Sequence, residues 1–179
     1  KYCRIYSEIY GIPIVSLRYG IVYGEREWFG RVLTIFCKRV LNNQNPIVFG
    51  DGEQCRDFVY VGDVVDMHNR CLKKEVVGEY NVATGIKTTI SKLAELVIEV
   101  SGKDLKVIYE NPKEGEFSRH MPERKRISQE LKAMVLDISK AKKDLGYKPE
   151  TDLKEGIKSE LEWASANLKY WEVKDIVHV

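Results

Sequence analysis

A turn flanked by glycines and followed by an arginine is the part of the sequence best suited to bind a ligand. Gly50, Asp51 and Gly52 form a Gly-Asp-Gly turn, where the missing side chains let the backbone come close to a bound molecule. Arg56 follows, and its guanidinium offers a rigid fork of donors that suits a diphosphate. The same spacing also fits a surface hairpin in which Arg56 pairs with Asp51 or Asp57. Spacing alone favours the hairpin, so the turn by itself is weak evidence for a site.

Residues of the other reactive types are not arranged for catalysis or metal binding. The four cysteines, at positions 3, 37, 55 and 71, lie far apart, with no Cys-x-x-Cys pair and no histidine at ligand spacing. We therefore expect reduced thiols, as in a cytoplasmic protein. His68 and His178 have no serine or carboxylate partner at a meaningful spacing, so we expect a helix-surface residue and a frayed tail. The sequence predicts no triad and no metal site.

The charge of the chain excludes several classes of partner. The 29 Lys and Arg residues against 27 Asp and Glu give a net charge of +2, too small to indicate binding to nucleic acid or an anionic membrane. A basic stretch at residues 119–126 could recognise phosphate, but Glu123 and Glu130 dilute it, so we expect a solvated loop or a lid over a ligand. Lys38 and Arg39 fit the solvated face of a helix.

Membrane insertion is also not expected. No apolar run approaches the ~20 residues that a spanning helix needs, and no signal peptide precedes the first helix. The 179 residues, 44% of them hydrophobic, are enough for a buried core. The sequence therefore indicates a soluble, cytoplasmic globular protein.

The elements that must position Arg56 alternate between helix and strand. The predicted helices cover residues 1–10, 31–43, 64–72, 89–100 and 153–168, with N-caps at Asp63, Thr89 and Asp152. The predicted strands cover residues 14–17, 47–49, 57–61, 79–83 and 105–109, and the first reads as buried on both faces. Residues 111–135 are polar and interrupted by proline, which predicts a long loop. The order indicates an α/β fold with a parallel sheet.

Four segments in order resemble the extended short-chain dehydrogenase/reductase family, which contains UDP-glucose 4-epimerase, dTDP-glucose 4,6-dehydratase and UDP-glucuronate decarboxylase. Residues 48–64 resemble its long Gly-Asp-Gly-x-Gln-x-Arg-Asp-Phe-x-Tyr-Val-x-Asp-Val pattern. Residues 17–24 resemble Leu-Arg-Tyr-Phe-Asn-Val-Tyr-Gly, residues 80–85 resemble Tyr-Asn-Val-Gly-x-Gly, and residues 137–149 resemble a near-terminal signature. The resemblance covers almost the whole chain.

The resemblance implies the last elements of an NAD-binding, Rossmann-like doubly wound sheet plus a small α/β substrate-binding domain. Residues 1–24 and 57–85 would belong to the Rossmann-like domain. Residues 25–56 and 86–179 would form the substrate-binding domain. This division is an expectation that comes from the family.

The family's substrate-binding residues map onto a small set of positions in this sequence. Arg56 would hold the diphosphate of a nucleotide sugar, with Val48 and Tyr23 also among the substrate-binding residues. Ile21 stands where the family often has an asparagine that touches substrate, which leaves the sugar preference open. A second family arginine is replaced by Lys113, which offers a point charge rather than a fork.

The cofactor expected from the resemblance is NAD, with Tyr19, Gly20, Ile21 and Val22 passing beneath its nicotinamide ring. The family's glycine-rich turn and its Tyr-x-x-x-Lys pair are not found in the expected places in this sequence. The amphipathic pattern already runs at the first residues. We therefore expect the chain to be the C-terminal part of a longer enzyme and to be inactive alone.

The resemblance leaves the reaction open. Epimerisation at C4 of a UDP-hexose is the first expectation, and 4,6-dehydration or decarboxylation of a nucleotide sugar is the alternative within the family. A different class of function is a non-catalytic module that binds nucleotide sugars. Family members are commonly homodimers through a helix that matches residues 1–10, so a homodimer is expected for the longer protein.

Overall fold

Short parallel strands and amphipathic helices alternate along the chain in a computed structural model that describes residues 1–74, 76–126 and 131–172. The helices are α1 (Tyr2–Tyr10), α2 (Val32–Leu41), α3 (Val61–Lys74), α4 (Ile90–Ser101), α5 (Ser139–Leu145) and α6 (Leu153–Ala166). The strands are β1 (Val15–Tyr19), β2 (Ile21–Tyr23), β3 (Ile47–Phe49), β4 (Cys55–Arg56), β5 (Phe58–Tyr60), β6 (Gly78–Val82), β7 (Thr88–Thr89), β8 (Ile108–Glu110) and β9 (Ala133–Met134). A 3-10 turn at Leu168–Trp171 follows α6.

Parallel pairing dominates the strand ladders, as the sequence predicted. β1 pairs with β6, β2 with β5, β3 with β8 and β4 with β9, all parallel, while β4 and β7 pair antiparallel. Parallel strands need long crossovers, and the intervening helices supply them. The predicted α/β class is confirmed.

A bend at Gly20 lets the chain leave one strand pair and join another. The Gly20 amide donates to the Val82 carbonyl at 3.0 Å, and the next amide, that of Ile21, donates to the Asp57 carbonyl at 2.7 Å. A Cβ at position 20 would lie only 2.7 Å from that Asp57 oxygen, so only glycine fits. The bend sets Ile21 beside the strand that follows Arg56.

Two main clusters of buried side chains hold the elements together. One joins β2 and β5 to helices α2, α4 and α6, with Phe36, Leu93 and Ile157 at its centre. The other packs α3, β6 and α5 together, through side chains such as Met67 and Leu145. Residues 138–147 pack in this second cluster, although the expected domain division groups them with the substrate-binding domain. The division itself stays a prediction.

The local signals in the sequence located most helix ends correctly. The side chain of Thr89 accepts from the Lys92 amide and caps α4, and Asp152 accepts from the Lys154 amide and caps α6, as predicted. Gly102 ends α4 in the left-handed conformation, with φ 64°. Helices α1 and α2 and strands β3, β5 and β6 also lie at or near their predicted positions.

Two local predictions were wrong. Asp63 is not an N-cap, because α3 begins at Val61 and the Asp63 carboxylate accepts instead from the amides of Glu150 and Thr151, at 2.9 and 3.2 Å. Strand β1 is half-buried to exposed rather than buried on both faces, because Val15 and Leu17 pack on the cluster around Met67 but also line an open, mostly apolar depression, while Arg18 on the opposite face is exposed.

Candidate functional site

Arg56 and Ile21 line the same cavity, of about 400 Å³. Its basic wall consists of the cationic residues Arg31, Arg56, Arg124, Lys125 and Arg126. Apolar side chains such as Phe49 and Met121 line the remainder. Within the described ranges no acidic residue lines the cavity, so its wall is strongly cationic and suits an anionic group beside an apolar one.

The guanidinium of Arg56 is held in place by backbone carbonyls. Arg56 is the last residue of β4, which lies between β7 and β9. Its Nη1 donates to the carbonyl of Cys55 and to that of Leu131, both at 2.8 Å. These bonds use one of the three guanidinium nitrogens and fix the side chain at the cavity wall.

The carboxylates that could have paired with Arg56 in a hairpin are engaged elsewhere. Asp57 is fully buried and accepts hydrogen bonds from Thr84 and from the amides of Gly85 and Leu136. Asp51 accepts from the Glu53 amide at 3.0 Å. The geometry therefore favours the ligand-facing interpretation of Arg56 over the hairpin pair.

The basic stretch at 119–126 belongs to a hairpin that closes one side of the cavity. The amide of Gly115 donates to the Arg126 carbonyl at 2.8 Å, and the amide of Ser118 donates to the Arg124 carbonyl at 2.9 Å. At its tip Met121 is only 5% exposed and packs beside Ile35. Met121 thus anchors the stretch at the cavity, whereas most of its other residues are exposed, as expected of a solvated loop.

Arg124 connects the hairpin to the segment before α2. Its Nη2 donates to the Gly30 carbonyl at 3.0 Å, and burial lowers the pKa of its guanidinium from the ordinary value without removing its charge. Arg126 donates to the Pro112 carbonyl at 3.0 Å and to the Asn111 side chain. Arg124 and Arg126 belong to the basic stretch that the sequence marked as a possible phosphate contact, although neither was among the predicted site residues.

Lys113 is not brought to the cavity. It is exposed, its amide donates to the Glu116 carboxylate at 2.9 Å, and it is not among the described residues that line the cavity. Arg126 donates to the carbonyl of Pro112, the residue before Lys113, and Arg126 lies at the cavity instead. The predicted phosphate contact of Lys113 therefore has no support from its position.

The side chains of Val48 and Tyr23, two of the predicted substrate-binding residues, are buried in the core, and their substrate contacts stay a prediction. Val48 is 0% and Tyr23 is 2% exposed, and both belong to the core cluster around Phe36. The ring of Tyr23 packs edge-on against those of Phe58 and Tyr60. Alternation along β3 turns Val48 away from the cavity that Ile47 and Phe49 line, whereas Tyr23 lies on the same face of β2 as Ile21 and is covered by the core.

The four residues expected beneath nicotinamide point in different directions. Ile21 lines the cavity, whereas the carbonyl of Val22 accepts from Nη1 of Arg31 at 3.2 Å. Tyr19 stacks on His68 and its hydroxyl lies 3.1 Å from Nε2 of that ring. The prediction of His68 as a helix-surface residue missed this contact, and His178 lies outside the described residues.

Lys38 and Arg39 are engaged on helix α2 rather than at the cavity wall. The ammonium of Lys38 lies 4.4 Å from the ring centroid of Phe29, and Nε of Arg39 donates to the Asn45 carbonyl at 2.6 Å. All four cysteines are free thiols, as expected. The described residues hold no group of three or more candidate metal ligands, and no described helix is long and apolar enough to span a membrane.

The sequence matches a known family along most of its length. Residues 1–160 match the family model of GDP-mannose 4,6 dehydratase. A Methanocaldococcus jannaschii protein provisionally named as a UDP-glucose 4-epimerase is 41% identical over 172 residues, which cover 93% of this chain and 50% of that protein. The human dTDP-D-glucose 4,6-dehydratase is 29% identical, over 96% of this chain and 47% of its own length.

Solved structures agree with the sequence comparison. UDP-glucose 4-epimerase of Thermotoga maritima, solved with UDP-glucose, superposes with a TM-score of 0.78 at 33% identity, over 93% of this chain and 50% of that one. UDP-glucuronic acid 4-epimerase of Bacillus cereus, solved with UDP-glucuronic acid and NAD, gives 0.75 at 30% identity, over 93% and 49%.

The fold, the cavity and these matches define a class. The chain belongs to the NAD-dependent epimerase and dehydratase family of short-chain dehydrogenase/reductase type, whose members bind NAD. It spans about half the length of the curated relatives and solved structures it matches, and corresponds to their C-terminal portion.

Proposed function

We propose that the cavity holds the diphosphate and sugar of a UDP-hexose, and that the whole protein is an NAD-dependent enzyme that epimerises this sugar at C4. The observation that carries the proposal is that Arg56 and Ile21, from separate segments of the family resemblance, line one cavity. The relatives named UDP-glucose and UDP-glucuronate 4-epimerase support the substrate class.

The cationic wall gives the diphosphate its binding energy. Arg56 offers paired donors to two phosphate oxygens, with its orientation fixed by the Cys55 and Leu131 carbonyls. Arg124 and Arg126 approach from the hairpin on the other side. Because the guanidinium groups are already fixed, little side-chain entropy is lost on binding.

The sugar end of the cavity is apolar on this chain. Ile21 provides a hydrocarbon surface where the family often has an amide, so the chain contributes shape and water exclusion there rather than a hydrogen bond. We propose that the polar contacts that select the sugar come from the preceding half of the longer protein. The sugar preference would then be set largely outside this chain.

NAD fits the segment after β1. Gly20 lies at the carboxyl end of a parallel strand, where nucleotide cofactors bind in open α/β sheets, and Ile21 is an uncharged neighbour suited to a nicotinamide face. When bound, NAD accepts a hydride from the sugar and returns it. Residues 19–22 would orient the ring, and Arg56 would fix the substrate by its diphosphate, so that the sugar carbon is presented to the ring.

A 4,6-dehydratase is the second candidate within the family, supported by relatives such as the human dTDP-D-glucose enzyme, and decarboxylation is a third reaction expected of the resemblance. A non-catalytic module that binds nucleotide sugars is the alternative of another class.

A homodimer through α1 is proposed as well, because its Tyr2, Ile5, Tyr6 and Ile9 are exposed. Sedimentation of the longer protein tests the dimer.

The test of function is a product analysis with the longer protein. NAD and UDP-glucose are incubated with it, and the nucleotide sugars are separated by chromatography. Formation of UDP-galactose supports the proposal. In parallel reactions, a 4-keto-6-deoxy product from dTDP-glucose supports the dehydratase, and a UDP-pentose formed from UDP-glucuronate with loss of CO2 supports the decarboxylase. Binding without conversion supports the module. Conversion by the isolated 179-residue chain would contradict the expectation that the missing half carries the acid/base pair.

A further inference from the structure

Two carboxyl groups, those of Glu27 and Glu160, are buried behind the cationic wall of the cavity. Glu160 is 0% exposed, and the side chain of Glu27 is 6% exposed. In the described part of the chain, none of their four oxygens has a hydrogen-bond partner of normal distance and angle, although the backbone of Gly24 lies close enough to Glu160 to oppose the rise in its pKa. An ionised carboxylate without partners is costly to bury, so a protonated group is favoured at these positions.

The charge of Glu27 acts on Glu160, and both carboxyl groups act on the thiol of Cys37. Burial first, and then the nearby Glu27, raises the pKa of Glu160 to about 9. Burial also raises the pKa of Glu27 to about 7, against the attraction of Arg31. Burial first, and then both carboxyl groups, raise the pKa of the Cys37 thiol.

Other ionisable groups face the pair from the packed elements. They are Tyr23 from β2, Glu25 and Arg31 from the segment before α2, Cys37 from α2 and Tyr60 from β5. Burial raises the pKa values of Tyr23 and Cys37 well above their ordinary values. The two carboxyl groups are therefore the groups of this cluster expected to titrate between pH 6 and 9.

The segment that carries Glu27 is tied to the C-terminal turn and to the cavity. Its carbonyl accepts from Nε1 of Trp171 at 2.8 Å, and Arg26 beside it has a left-handed φ of 70°. The Glu27 carboxylate lies 3.7 Å from Nη1 of Arg31, the nitrogen that donates to the Val22 carbonyl. Arg31 is one of the residues that line the cavity.

We infer that Glu27 and Glu160 retain at least one proton between them at neutral pH, and that they act as positioning residues that hold segment 24–31, and with it Arg31, against helix α6. Loss of that proton leaves two negative charges in a buried space. Their repulsion and their need for water push the segment away from α6. The basic wall then loses a fixed guanidinium.

The direction of the pH effect follows from the raised pKa values. Both carboxyl groups have a higher pKa in the folded chain than in the unfolded one, where the ordinary value is 4.5. Their contribution to stability is complete below that value and is lost as the pH rises, until about 7 for Glu27 and about 9 for Glu160. Between pH 7 and 9 Glu160 alone contributes, and the unfolding equilibrium constant rises up to about tenfold per pH unit.

Tryptophan fluorescence offers a local test. All three tryptophans, Trp28, Trp163 and Trp171, lie on the segment, on α6 or on the turn after it. We expect a fluorescence transition between pH 6 and 9.5 whose upper part, between about pH 7 and 9, is removed by Glu160→Gln, and that the exposed control Glu162→Gln leaves unchanged. The free energy of unfolding should likewise depend less on pH in Glu160→Gln than in the unaltered chain or in Glu162→Gln. An equal transition in Glu160→Gln, or a flat trace in the unaltered chain, overturns the inference.

A second variant keeps the inference testable if Glu160→Gln does not fold. Glu27→Gln removes the neighbouring charge, so the upper part of the transition should move to lower pH. An unmoved midpoint overturns the inference.

A ligand measurement connects the pair to the cavity, and this step rests on the proposed function. The affinity for UDP-glucose, whose diphosphate does not titrate near neutrality, should fall at least threefold from pH 6.5 to pH 9 and should fall less in Glu160→Gln. Equal falls in both overturn the positioning role. Absence of UDP-glucose binding at every pH contradicts the proposed function instead, while the fluorescence transition still tests the carboxyl pair.

Discussion

Asp57 and Thr84 are joined by two hydrogen bonds in the interior of the protein. The fully buried carboxylate of Asp57 accepts from the Thr84 amide at 2.9 Å and from its hydroxyl at 2.6 Å. The pair connects the segment directly after Arg56 with the loop that follows β6. Two stretches that resemble separate family patterns thus contact each other, and the contact fixes the backbone that carries Arg56.

Removal of the Asp57 carboxylate should destabilise the fold strongly. Asp57→Ala leaves the amides of Thr84, Gly85 and Leu136 without their acceptor, at an expected cost of about 2–4 kcal/mol in the free energy of unfolding. Urea denaturation followed by circular dichroism measures it, with the exposed Asp104→Ala as the matched control. A loss below about 1 kcal/mol, as typical of a surface substitution, would show that the network is not structural.

Helix α6 meets β2 at a position where only glycine fits. A Cβ on Gly156 would lie 2.2 Å from the hydroxyl of Tyr23 and 2.8 Å from its ring carbons. We expect Gly156→Ala to destabilise the protein by about 1–3 kcal/mol through overpacking, despite the better helix propensity of alanine. In a Tyr23→Phe background the cost should shrink, because the closest atom is gone. Thermal unfolding of the four proteins tests this, and an equal cost in both backgrounds would contradict the packing account.

Arg126 and Lys113 should contribute unequally to nucleotide binding. Arg126→Ala removes a charge from the cavity wall, and we expect it to weaken UDP binding about tenfold. Lys113→Ala changes an exposed residue away from the cavity, so we expect less than a twofold effect. Fluorescence or calorimetric titration of both variants decides the matter. The reverse order would restore the phosphate role expected of Lys113 from the family resemblance.

Local signals in the sequence predicted local features well. Thr89 and Asp152 were identifiable as caps because the capping bond spans only a few residues. The cavity position of Arg56 was expected from the long family pattern, since the spacing of the turn alone favoured a surface hairpin. Its neighbour Asp57, an alternative partner, proved to be bound to Thr84, 27 residues away.

Features that depend on distant contacts were not predictable. Aspartate is a residue type favoured at N-caps, but the carboxylate of Asp63 accepts from the amides of residues 150 and 151. Met121 gave little sign that a basic loop would pack over α2, and the burial of Glu160 is hidden in an ordinary amphipathic pattern. In each case the partner comes from another part of the chain, so no local pattern encodes it.

The central claim is that Arg56 holds the diphosphate of a nucleotide sugar. Calorimetric titration with UDP-glucose of the longer protein and its Arg56→Ala variant tests it most directly, with the exposed Arg4→Ala as a control for loss of charge. We predict saturable binding that Arg4→Ala preserves and Arg56→Ala weakens by roughly 2–5 kcal/mol, because buried phosphate charge loses its partner. An affinity of Arg56→Ala equal to that of the unaltered protein would contradict the claim and place the diphosphate elsewhere.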